Sequence, residues 1–175
     1  MELIKVIVIL AVLAAVISYS IRYRYGSRRQ RLHRKNIQKA QKLKEMFRSW
    51  KPPGLEARIL SYARKIDPLV FEELILSSLQ DAGAKIQRNY RYTGDGGIDG
   101  VFHINGDRWF MQAKRYSSST VPEHVMDFVR KCNGTPGIFV HTGRTGPKSY
   151  TYAKINRNIK IISGSRLVRL ILNSS

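Results

Sequence analysis

The run LIKVIVILAVLAAVISYSI, Leu3 to Ile21, carries a single charge, Lys5, in nineteen residues. As a helix rising 1.5 Å per residue it is about 28 Å long, close to the roughly 30 Å hydrocarbon layer of a bilayer. A stretch this apolar must be buried in protein or in lipid. A secretory signal peptide is the rival reading, because Ala14 and Ala15 are small residues of the kind found near cleavage sites. Signal peptides carry their positive charge ahead of the apolar run, however. Here Arg22, Arg24, Arg28, Arg29, Arg31, Arg34 and Lys35 follow it. The positive-inside rule then predicts an uncleaved, single-pass anchor over residues 3–21 in an inner (cytoplasmic) membrane, with the C-terminal domain in the cytoplasm.

Charge narrows the partners. The chain of 175 residues has 31 Lys and Arg against 12 Asp and Glu, a formal +19. Such an excess implies a polyanion, either nucleic acid or anionic lipid. It is unevenly spread, since residues 1–66 hold 16 basic and 3 acidic side chains. Much of it therefore belongs to a basic stretch at 22–54, read as a juxtamembrane stalk that is solvated or touches lipid headgroups. Apolar positions at Ile37, Ala40, Leu43 and Phe47 give this stretch a helical period, and Pro52-Pro53-Gly54 ends it. Cys132 is the single cysteine, which excludes a disulfide framework and a cysteine-built zinc site. His33, His103, His124 and His141 have no HxH or HxxxH spacing, which argues against a histidine-built metal site.

Residues 55–175 read as a folded domain. A short helix from Leu55 leads to DPLVFEELILSSLQDAG, where Asp67 caps, Pro68 suits the first helical position and Gly83 closes. AKIQRNYRY, IDGVFHI and DRWFMQAKRY are strand-like and are separated by Gly-rich or Asn-Gly turns. PEHVMDFVRKCN then reads as a helix, GIFVHT as a buried strand, PKSYTYAKIN as a helix, IKIIS as a strand and SRLVRLILN as a helix. That order predicts an α/β fold with a mixed sheet flanked by helices.

Two stretches carry candidate chemistry. Stepping 100° per residue from Phe71, Glu72 falls at 100°, between Leu79 and Leu76, whereas Glu73 falls at 200° and reads as solvated. A carboxylate on an apolar arc is costly unless it is paired or holds a metal. TGDGGIDG, Thr93 to Gly100, puts Asp95 and Asp99 into a glycine-rich turn, and plain turn capping is its simplest reading. Gln112 and Lys114 lie two apart on the next strand and so share a face. A hairpin through Asn105-Gly106 places Asp99 beside them. Asp99, the Gln112 side chain or a neighbouring carbonyl, and Glu72 would then offer the hard oxygen ligands that Mg²⁺ prefers. Lys114 would lie within reach of a phosphate. GRTGPKS, Gly143 to Ser149, lacks P-loop spacing. Its Arg144 and Lys148, with Arg115, are candidates for contacting a DNA backbone, and plain exposed charge is the equal alternative for Arg144 and Lys148.

FEE, TGDGGIDG, WFMQAKRY, GIFVHTG and IKIISGSRL, in that order over roughly 67–172, resemble the catalytic domain of Mrr-like type IV restriction endonucleases, a branch of the PD-(D/E)xK nuclease superfamily. The resemblance implies a restriction-endonuclease-like fold with an αβββαβ core. It makes Asp99 a metal-binding aspartate, Gln112 the substitute at the second acidic position, Lys114 the catalytic lysine and Glu72 the helix carboxylate, and leaves Asp95 either to assist or to cap the turn. It implies Mg²⁺-dependent cutting of DNA, with Mn²⁺ as a substitute metal. DNA, the membrane and a second copy of the chain are the expected partners. The rival expectation is an inactive domain that only holds DNA at the membrane.

Overall fold

Asp67 starts the helix around which the rest is arranged. Its side chain accepts from the backbone N–H groups of Leu69 and Val70, and Pro68 follows it. The computed structural model describes residues 2–88, 97–155 and 158–172. Its elements are α1 (Glu2–Ser49), α2 (Leu55–Ala63), α3 (Pro68–Asp81), β1 (Lys85–Gln87), β2 (Gly100–Ile104), β3 (Asp107–Lys114), α4 (Pro122–Cys132), β4 (Gly137–His141), α5 (Pro147–Ile155), β5 (Ile159–Ile162) and α6 (Ser165–Leu172). The order agrees with the one expected from sequence. Residues 89–96, which include Asp95 and half of the glycine-rich stretch, lie outside the described residues.

The chain divides into two units, residues 1–35 and 36–175. In the first, Ile7, Leu10, Val12, Leu13, Val16, Ile17 and Tyr19 are all more than half exposed along the helix. Among the described residues no helix is long and apolar enough to cross a membrane. The side chains of Leu3, Ile4, Val6, Val8, Ile9 and Ile21 lie outside that description.

The second unit is a three-layer sandwich. Its five-stranded sheet has the order β1-β2-β3-β4-β5. β1, β2 and β3 are antiparallel neighbours, and β4 and β5 continue parallel to β3. On one face lies a core built from α2, α3, α6 and the end of α1, with Phe71, Leu74, Ile75, Phe102, Met111 and Leu167 at its centre. On the other, α4 and α5 cover Phe139, Ile159 and Ile161 with Val125, Phe128 and Ala153. A helical layer on each side explains why β4 is apolar and buried at nearly every position.

Residues 36–49 correct the expectation of a solvated stalk. Ala40 and Phe47 are fully buried in the first core, and Lys44, itself buried, reaches the Ser77 carbonyl and the Asp81 carboxylate. The apolar period seen in the sequence is thus a core-facing stripe. Its basic surroundings disguised it.

Candidate active site

The site lies where the sheet runs short. β2 begins at Gly100, opposite Met111, so Gln112, Ala113 and Lys114 pair with β4 alone. Asp99 fills the place β2 leaves open. Its N–H donates to the Met111 carbonyl at 2.8 Å, and its Oδ2 accepts the Ala113 N–H at 2.8 Å. A side-chain oxygen thereby completes the ladder. The carboxylate is fixed beside the Gln112–Lys114 segment, where the hairpin register was expected to put it.

Gly100 brings in the next group. A Cβ there would fall 2.6 Å from Leu76 Cδ2 and 3.3 Å from Met111 Cε, both on buried side chains. Any larger residue would force the Leu76 side chain to shift. With Leu76 seated on Gly100, Glu72, one helical turn earlier, arrives next to Asp99. The electrostatics report this closeness. Burial, then the charges of Asp99, Glu73 and Asp67, push the Glu72 carboxyl up to about 8, while Lys114 pulls it back. Glu72 comes from the α3 side, and Gln112 and Lys114 from the face that carries Phe110. Lys114 is near enough to act on the Glu72 charge.

Gln112 is 5% exposed, and its Oε1 has no hydrogen-bond partner among the described residues. A buried amide oxygen left so costs about 1–3 kcal/mol. A hard cation would satisfy that oxygen and relieve the crowding of Glu72 against Asp99. In chemistry, the oxygens of Glu72, Asp99 and Gln112 are donors of the kind a divalent metal such as Mg²⁺ takes. Among the described residues no group of three or more His, Cys, Asp or Glu could hold one, so any metal here depends on the amide oxygen or a backbone carbonyl.

Glu73 corrects the sequence reading. Far from being solvated, it is 2% exposed and meets Arg88 Nε at 3.3 Å. Arg88 also donates to Ser77 Oγ and Gln80 Oε1. It ties the chain entering the glycine-rich segment back onto α3. No local pattern marks this pair, since α3 is covered on almost every side and a helical angle cannot tell which neighbour brings an arginine.

The backbone candidates are dispersed. Arg115 donates to the Arg64 carbonyl at 3.3 Å and is partly buried. Arg144 is exposed, and its backbone bonds Ser118 and Thr120, binding two loops together. Lys148 is exposed and paired with Glu123 at 2.8 Å. Sequence reasoning passed over His141, in register with Lys114 and fully buried, whose ring meets Thr120, Thr145 and the Gly143 N–H. Burial pushes it down to about 4.

Known proteins share the family and the fold of this chain. A type IV methyl-directed restriction enzyme, EcoKMrr, of Escherichia coli (strain K12) is 25% identical over 126 residues, covering 66% of this chain and 41% of that enzyme. The solved structure of AspBHI, a DNA modification-dependent restriction endonuclease, superposes with a TM-score of 0.51 over 70% of this chain and 36% of its own, at 16% identity. The chain thus spans less than half the length of either, and the likeness to AspBHI is one of fold. The Mrr catalytic-domain model, described as restriction endonuclease, matches residues 63–171, and with more than half of its length so matched the chain belongs to that restriction endonuclease family.

Proposed function

We propose that the chain is a metal-dependent DNA endonuclease that hydrolyses phosphodiester bonds, held at a membrane by residues 3–21 with its catalytic domain on the cytoplasmic side. The observation that supports this most is the closeness of Glu72 to Asp99 and Lys114 past the end of β2, with the unsatisfied Gln112 Oε1 on the same strand as Lys114. A structural pair would balance its charges. Here two carboxylates crowd each other, and a buried amide oxygen is left over.

Glu72, Asp99 and Gln112 would hold Mg²⁺ or Mn²⁺, which supplies a polarised water and charge neutralisation at the phosphate. Asp99 is positioned by the Ala113 N–H, and Gln112 by the sheet beneath it. Lys114 presents its ammonium to the scissile phosphate. There it orients the attacking water and stabilises the charge that builds on the phosphorane oxygens. One such site breaks one strand, so severing a duplex calls for two copies acting on opposite strands. Arg115, Arg144 and Lys148 are proposed backbone contacts; Lys148 must first exchange Glu123 for phosphate.

The exposed apolar side chains of residues 7–19, with the arginines that follow, support the anchor. Carbonate-resistant membrane association of the full chain, lost on deleting residues 3–21, is the expected result. The function is tested with the detergent-purified full chain on supercoiled plasmid, plain and methylated, in Mg²⁺, Mn²⁺ or EDTA. Nicking or linearisation with either metal and none in EDTA is expected. A plasmid that is bound but intact under all three conditions would make the domain a DNA-holding module.

A further inference from the structure

One cation near the site is not explained by the family pattern or by any structural pairing. Lys131 sits in the last turn of α4. A Cβ built on Gly97 would fall 2.5 Å from Lys131 Nζ and 3.0 Å from Gln112 Nε2. The ammonium therefore rests over the bare Cα of Gly97, on the Gln112 side of the site. Gly97 itself has φ of +89°, a conformation that side chains rarely adopt. This residue leaves the lysine room to enter.

The neighbouring charge behaves differently. Arg130 is paired with Asp127 on its own helix, whereas Lys131 makes no ion pair among the described residues. A lysine at a helix C-terminus is often no more than a favourable charge on the helix dipole. That role does not require its tip to reach across to a glycine on another segment and lie beside a buried glutamine.

We infer that Lys131 is a second phosphate-contacting cation of this site, reaching the substrate from α4, the helix that covers the Lys114 face of the sheet. The inference rests on the nuclease reading. The site then offers a phosphodiester two ammonium groups, Lys114 beside Glu72 and Lys131 beside Gln112. Lys131 is assigned to substrate binding, and the chemical step stays with Lys114.

The test compares the full chain with Lys131→Ala, Lys131→Arg and Arg130→Ala. Single-turnover cleavage and equilibrium binding to a short plain duplex are measured; binding is done in EDTA across a salt series. Lys131→Ala should weaken binding about tenfold and lower the slope of log affinity against log salt by about one. It should raise the enzyme concentration that gives half the maximal single-turnover rate while leaving that maximal rate within a factor of about three. Lys131→Arg should restore most of the affinity, and Arg130→Ala should resemble the parent. An unchanged slope for Lys131→Ala would overturn the inference. So would an equal loss for Arg130→Ala, because diffuse charge would then suffice. The two readings fail separately. A parent that does not cut refutes the nuclease, while the binding series in EDTA still decides whether Lys131 meets phosphate.

Discussion

Glu72 and Glu73 are adjacent on α3, and the surroundings of each treat it oppositely. Glu73 is buried and answered by Arg88, which carries two further hydrogen bonds to α3. Glu72 is half-buried against Asp99, and the nearest relief comes from Lys114. One corner spends its charges on holding the chain together. The other keeps a carboxylate in a place where burial and like charge push it up to about 8. A fold tolerates such crowding where a ligand removes it, and the contrast separates a structural carboxylate from a functional one.

The comparison can be broken most decisively at the crowded corner. Asp99→Asn keeps an acceptor for the Ala113 N–H but loses the charge, and Lys114→Ala loses the cation. Each should lower the single-turnover cleavage rate by a factor of about 10² to 10³, with melting temperatures close to the parent's. At the paired corner, Glu73→Ala should cost about 3 kcal/mol by stranding Arg88, a drop of roughly 10 °C in melting temperature. Adding Arg88→Ala should recover part of that loss, which thermal unfolding of the single and double variants would show.

Smaller effects sharpen the contrast through pH. In the metal-free folded protein Glu72 keeps its proton to about 8, whereas in the unfolded chain it loses it near 4.5. Between those values only the unfolded state has released the proton, so stability falls as pH rises. Glu72→Gln should flatten that slope and be more stable than the parent at pH 7.5 in EDTA, while cutting poorly with Mg²⁺. His141 acts in the opposite sense. Its folded value near 4 lies below the ordinary 6.5, so the unfolded chain takes up a proton first and stability should decline as pH falls from about 6.5 to about 4. Melting curves of parent and His141→Gln across that range would check it, with the smaller slope in the variant.

The fold was legible because its signals are local. Asp67-Pro68 starts α3, Asn105-Gly106 turns the β2–β3 hairpin, and alternation fixes Gln112 and Lys114 on one face. Asp99 followed from register alone. Glu73 was not legible, because a helix covered on nearly all sides has no solvated face for an angle to find, and Arg88 is fifteen residues away. The same limit hid Phe47 and Ala40, whose apolar stripe is set among lysines and arginines that read as a stalk. Lys131 reaches Gly97 only once α4 has packed on the sheet, so spacing could not reveal it.

Glu72 serves chemistry and Glu73 serves structure. The most direct measurement is the single-turnover cleavage rate of a DNA duplex by the full chain, Glu72→Gln and Glu73→Gln in Mg²⁺, at a temperature where all three are folded. A loss of about 10² or more for Glu72→Gln, with Glu73→Gln within a factor of about three of the parent, is the predicted result. Equal rates for Glu72→Gln and the parent would contradict it and place the active site elsewhere on the molecule.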